Sequence, residues 1–137
     1  MRLKLFLPGI IWFILSFFLL AMPGDNLPES GFFDIPFFDK YVHFGMFFLL
    51  TFLFCYPFFV NYNSFSIRML TAYKIALISI VYGIAMEYVQ KYFVAGRSFD
   101  VVDILFDSLG SGSGVLGIWI LDQKKIGPDR NRGRNQN

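Results

Sequence analysis

Four apolar stretches, residues 5–22, 41–60, 71–90 and 104–121, constrain this chain more than anything else in it. Each is about 18–20 residues long, and at about 1.5 Å per residue a helix of that length crosses roughly 30 Å of hydrocarbon. Hydrocarbon offers no partner to backbone N–H and C=O groups, and a helix satisfies them within the segment. The expectation is an all-α integral membrane four-helix bundle. Composition argues against a water-soluble alternative. Of 137 residues, 55% are hydrophobic, 20% aromatic and only 16% charged, too little polar surface for a soluble domain of this length. The stretches fill most of residues 1–121, which leaves no room for a separate soluble domain.

The first stretch follows a basic Met-Arg-Leu-Lys start, as a secretory signal would. Its apolar run exceeds the usual core of roughly 7–15 residues, and Ala21 is a poor cleavage position, so the stretch reads as a retained helix. The single cysteine, Cys55, lies inside the second stretch and reads as a small apolar filler.

Sidedness follows from the basic residues. Arg2, Lys4, Arg68, Lys74 and the Lys and Arg residues of the tail all fall on one side. Only Lys40, Lys91 and Arg97 fall on the other. The expectation is that both termini are cytoplasmic and that loops 23–40 and 91–103 face outward. Residues 122–137 read as a basic, polar, disordered cytoplasmic tail near anionic lipid, with no nucleic-acid role. The first outer loop is rich in turn residues, and its Phe32, Phe33, Phe37 and Phe38 belong to the headgroup layer or pack back on the bundle.

The ionisable residues of the last three stretches gather at this outer end. Asp39, Lys40 and His43 open the second. Glu87, Gln90 and Lys91 close the third. Arg97, Asp100, Asp103 and Asp107 lead into the fourth. Asp39 and His43 are spaced i, i+4, and Asp100, Asp103 and Asp107 are spaced 3 and 4, which puts each set on one helical face. Asp107 lies about 10 Å further along its helix than Asp100. A carboxylate facing lipid at depth costs at least about 2.5–3.5 kcal/mol, so the stripe must face inward. Arg97 is the expected partner of the stripe, with Lys40, Lys91 and His43 as further donors. The result is a polar pocket or plug between the second, third and fourth spans. Gly110, Gly114 and Gly117 offer the small-residue spacing that lets two helices approach closely, with Gly45 and Gly83 as candidate facing residues. Trp12 and Trp119 read as packing or interface anchors.

The residues that carry a family likeness are now in hand. "FFDKYVHFGMFFLLTFLF" and "YGIAMEYVQKYFVAGRSFDVVDILFDSLGSGSG", in this order, resemble the VanZ-like family of integral membrane proteins. The family pattern has Asp-Lys and His-Phe opening one helix, Glu-x-x-Gln ending the next, then Arg-x-x-Asp, a further Asp, an Asn and glycines. Here those positions read Asp39, Lys40, His43, Phe44, Glu87, Gln90, Arg97, Ser98, Asp100, Asp103 and Gly110, while Asp107 stands where the pattern has Asn. The resemblance implies a multi-pass protein of the bacterial cytoplasmic membrane, similar to the protein associated with low-level teicoplanin resistance.

Three classes of function are open to such a chain. One is an outward polar cluster that binds or modifies a cell-envelope component, a cell-wall precursor or lipid headgroup, and so affects glycopeptide susceptibility. The second is a purely structural bundle or assembly partner. The third is a metal-dependent membrane enzyme acting on a lipid-linked phosphate, with His43, Glu87, Asp100, Asp103 and Asp107 as ligands. The sequence leans away from an enzyme: it holds no nucleophile elbow, Cys-x-x-Cys, phosphate loop or zincin pair. No cofactor and no metal are assigned, and the lipid bilayer is the one firm partner.

Overall fold

The structure is a computed structural model that describes residues 3–23 and 37–132, with side chains through residue 124. A 3₁₀ turn, Leu3–Phe6, runs into α1, Leu7–Leu20. Then follow α2, Phe38–Asn61; α3, Phe65–Phe93; and α4, Val101–Arg132. No strand is present among the described residues. All four helical segments are long and apolar enough to span a membrane. The turn-rich residues 24–36, with Phe32 and Phe33, lie outside the described residues, as do residues 133–137 of the tail.

Successive helices run antiparallel. The end of α1, the start of α2, the end of α3 and the start of α4 meet at one end of the bundle, here the polar end. The Gln90 amide there donates to the Leu20 carbonyl at 2.9 Å, satisfying one of the carbonyls that the end of α1 leaves open. The opposite, or far, end holds the short extended link 62–64 between α2 and α3.

The helices outrun the apolar stretches because each continues until local chemistry stops it. Phe37, with φ of 62°, turns the chain into α2. Val94, extended at ψ 118°, ends α3, and Gly96, at φ 72°, makes the left-handed turn after it. Asp100 begins α4 as its cap: its carboxylate accepts the Val102 N–H at 2.8 Å. At its other end α4 passes the expected limit at 121, so residues 122–132 of the tail continue the helix. The continuation past 121 has a physical reason at its first residue. Asp122 is wholly buried and ion-paired with the equally hidden Arg68 of α3.

The α2–α4 interface is the most extensive in the bundle. Glycine makes it possible. A Cβ on Gly110 would strike the Phe44 carbonyl, and one on Gly114 would lie 2.9 Å from the Phe48 carbonyl and from Thr51. One on Gly117 would lie 3.2 Å from the Phe52 ring. The expected packing face is therefore found on α4, but its partner is the backbone of α2 rather than a matching glycine. Gly45 has open space beside it and is not a facing residue, because its helical phase turns it away. Gly83 does face inward: a Cβ there would come within 2.5 Å of the Asp107 carboxylate and 3.1 Å of the Phe47 ring.

Around these contacts lie two apolar clusters. Leu20, Met46, Phe47, Leu50 and Met86 form one. Cys55, Met69, Ala72, Ala76, Val115 and Ile118 form the other, so Cys55 is the buried filler expected. α1 lies mainly against α2, pinned by the Trp12 indole N–H donating to the Met46 carbonyl at 3.0 Å. Trp119 is 43% exposed.

Candidate functional site

The polar end is built from side chains of α2, α3 and α4 and from the residues that lead into α4. On α2 the buried face runs Lys40, His43, Phe47, at spacings of three and four. Asp39 is not on it. Its side chain is 49% exposed and reaches back to the Lys40 ammonium at 3.0 Å. The Lys40 ammonium is the hub. It also meets Asp100 at 2.5 Å and Asp103 at 2.6 Å. Only 7% of Lys40 is exposed, so this lysine is committed to the three carboxylates.

One turn deeper, His43 Nδ1 donates to Asp107 Oδ1 at 2.9 Å, and its Nε2 stands 3.9 Å from Asp103 Oδ2. Asp103 and Asp107 sit at i, i+4 on α4 and are both buried, so the inward stripe is real for these two. Asp100 precedes the helix and serves as its cap instead. Glu87 of α3, 1% exposed, accepts the Asp100 backbone N–H at 2.8 Å. This ties the end of α3 to the start of α4. Gln90, one turn on, caps α1 and makes no contact with the carboxylates that is recorded among the described residues.

Two expected members stand apart. Arg97 forms no ion pair among the described residues, and its buried Nε has no hydrogen-bond partner there. Lys40, not Arg97, neutralises the aspartates. The reason is reach: Lys40 projects from the first turn of α2 straight against α4, whereas Arg97 sits in the turn that reverses the chain. Ser98 is exposed in the same connection. Lys91 is exposed too, its ammonium over the Tyr92 ring at 5.2 Å.

Charge is not balanced here. Asp39, Glu87, Asp100, Asp103 and Asp107 outnumber Lys40 and His43. Asp100, outside the spans, is held below the usual carboxylate range by its hydrogen bond to Lys40 and by the Val102 N–H.

Sequence reasoning missed the Arg68–Asp122 pair at the far end. Arg68 Nη1 also donates to the Tyr62 carbonyl at 2.6 Å, and its guanidinium lies 5.8 Å from the Phe59 ring centre. The available signal was a lone acid directly after "GIWIL" and a lone arginine opening α3, both at one end.

Four membrane-length helices closed at one end by a buried network of carboxylates, lysine and histidine define a multi-pass membrane protein. The VanZ/LLP1 family model matches residues 5–122, nearly the whole chain, and the protein belongs to that family. No curated protein and no solved structure matches it.

Proposed function

We propose that this protein acts in the bacterial cell envelope, binding a lipid headgroup or cell-wall precursor at the polar end and thereby altering glycopeptide susceptibility. In this reading the termini are cytoplasmic and the polar end faces outward, as the distribution of lysine and arginine favours. One observation carries the binding step: Arg97, half-buried in the turn before Asp100, has no ion-pair partner among the described residues. A guanidinium in that position takes a phosphate or carboxylate in a bidentate grip. The half-exposed Asp39 and Asp100 beside the same mouth accept from hydroxyl or amine groups of the same ligand. Lys40, by contrast, is withdrawn from any ligand by its own three carboxylates.

The test is genetic. Deleting the gene is expected to change teicoplanin sensitivity, and Arg97→Ala is expected to reproduce the deletion at unchanged protein level. Unchanged sensitivity in both strains would reject the reading.

A second reading, a purely structural bundle, is favoured by one specific feature. Lys40 is buried and ion-paired within the chain, and His43 is buried and hydrogen-bonded to Asp107. It predicts that Asp103→Ala and His43→Ala lower the amount of folded protein in the membrane and have no other effect.

A further inference from the structure

We propose that His43, Glu87 and Asp103 form a site for one divalent transition-metal cation of the zinc kind, buried between α2, α3 and α4. Each helix contributes one ligand. The three side chains are 4%, 1% and 5% exposed, and one donor atom from each lies within 4.8 Å of the others. Donors bound tetrahedrally to one zinc ion at about 2.0–2.2 Å stand about 3.3–3.6 Å apart. His43 Nε2 and Asp103 Oδ2, at 3.9 Å, are within about half an ångström of that spacing. The widest spacing the trio allows closes by about 1.2–1.5 Å when the ion binds, a side-chain adjustment.

The independent observation is the orientation of the histidine. Its Nδ1 is engaged by Asp107 at 2.9 Å, which turns Nε2 towards Asp103; in the neutral tautomer that donates from Nδ1, Nε2 carries the lone pair a metal takes. That nitrogen sits on a side chain only 5% exposed, and the Asp103 Oδ2 that faces it at 3.9 Å lies beyond hydrogen-bonding reach but close enough to share a cation with it. A histidine whose second nitrogen donates to a carboxylate is the usual arrangement of a metal-bound imidazole, since that bond fixes the tautomer and the ring.

The rest of the geometry is compatible. Asp103 divides its oxygens: Oδ1 faces Lys40 at 2.6 Å and Oδ2 faces the histidine. Glu87 uses Oε2 for the Asp100 N–H. Its other oxygen has no hydrogen bond among the described residues. One imidazole with two carboxylates selects a zinc-like ion over Mg²⁺ or Ca²⁺, which prefer all-oxygen shells. Three protein ligands leave a fourth position open, as in sites where zinc binds water or substrate. The inference goes beyond the envelope-binding reading and does not depend on it, because its measurement needs no antibiotic phenotype.

The experiment uses the full chain in detergent, stripped with EDTA, equilibrated with Zn²⁺ and freed of excess by gel filtration before metal analysis. Co²⁺ in place of Zn²⁺ gives a visible-absorption readout of the ligand set. The expected result is one equivalent of zinc per chain. His43→Gln and Glu87→Gln are expected to retain less than about a tenth of it, and Asp39→Asn all of it. Asp107→Asn, which alters only the group orienting the histidine, is expected to weaken binding about 10–100-fold. Zinc retained equally by His43→Gln and Glu87→Gln overturns the proposal, since the ion then sits on exposed acids. Failure of the unmodified chain to hold an equivalent also overturns it. Should the variants not fold, the unmodified chain decides. A melting temperature raised by Zn²⁺ and restored by EDTA supports the site, and one that Zn²⁺ leaves unmoved refutes it.

Discussion

At the far end of the bundle one arginine meets one aspartate, both hidden from solvent and both on helices that need joining there. At the polar end a single lysine and a single histidine face the carboxylates of Asp39, Glu87, Asp100, Asp103 and Asp107, and the outermost of these reach water. The far pair is matched in charge and ties α3 to α4. That is the whole requirement for a structural link. The polar end carries more acid than its own cations neutralise. Fixing helices does not call for that surplus, since a buried acid without a counter-charge destabilises the fold. The difference fits architecture at one end and, on the function proposed above, recognition at the other.

The comparison is broken most directly at the far end. Arg68→Ala leaves Asp122 buried without a counter-charge and is expected to cost about 3–5 kcal/mol. Equilibrium unfolding in detergent measures it. Arg68→Met combined with Asp122→Leu removes both charges and is expected to recover most of that loss. If the double variant is as unstable as the single one, the far pair is more than a structural link.

At the polar end Lys40→Met removes the hub. Asp39 and Asp100 turn to water, and only Asp103 is stranded. The expected cost is about 1.5–3 kcal/mol, the range for a hydrogen bond to a charged group, and smaller than that of Arg68→Ala. A reversed order would erase the contrast between the ends. Between them, α4 rests on α2 through Gly110. Gly110→Ala drives a methyl into the Phe44 carbonyl and is expected to cost about 1–3 kcal/mol. Gly112→Ala, with open space beside it, is expected to be neutral or to stabilise by up to about 1 kcal/mol. The pair of alanines tests whether the α2–α4 seat is as close as described.

Much of this was readable in advance, for reasons that vary by residue. The four spans follow from apolar length, which the bilayer imposes directly. Their ends did not follow, because hydropathy senses hydrocarbon depth while a helix continues to the next cap or turn. Asp100 and Val94 are such stops. The inward face of Asp103 and Asp107 follows from their spacing, since the two sit one turn apart on one helix. Partner choice did not follow. Arg97 and Lys40 look alike as donors in a linear sequence, and only the docking of α2 on α4 selects Lys40. Asp122 was hidden by its neighbours: it opens a polar tail, and only packing against α3 shows it to be the last buried residue of a span.

The smallest expected effect isolates the exposed rim of the polar end. Asp100 does two jobs, capping α4 and pairing with Lys40. Asn caps as well as Asp, so Asp100→Asn removes the charge and keeps the cap. With the carboxylate 38% exposed, the pair is worth only about 0.2–1 kcal/mol, and added salt is expected to weaken it further. The pH dependence gives the sign. Lys40 holds the folded carboxyl below its unfolded pKa of about 3.9, so the stabilisation is complete above that value. It is lost as pH falls through the folded value. Unfolding curves of Asp100→Asn and the unmodified chain are therefore expected to differ by a constant amount between pH 5 and 8 and to converge below about pH 4. Convergence at higher pH would mean that Lys40 does not hold this carboxylate, and that the rim is as loosely partnered as Arg97.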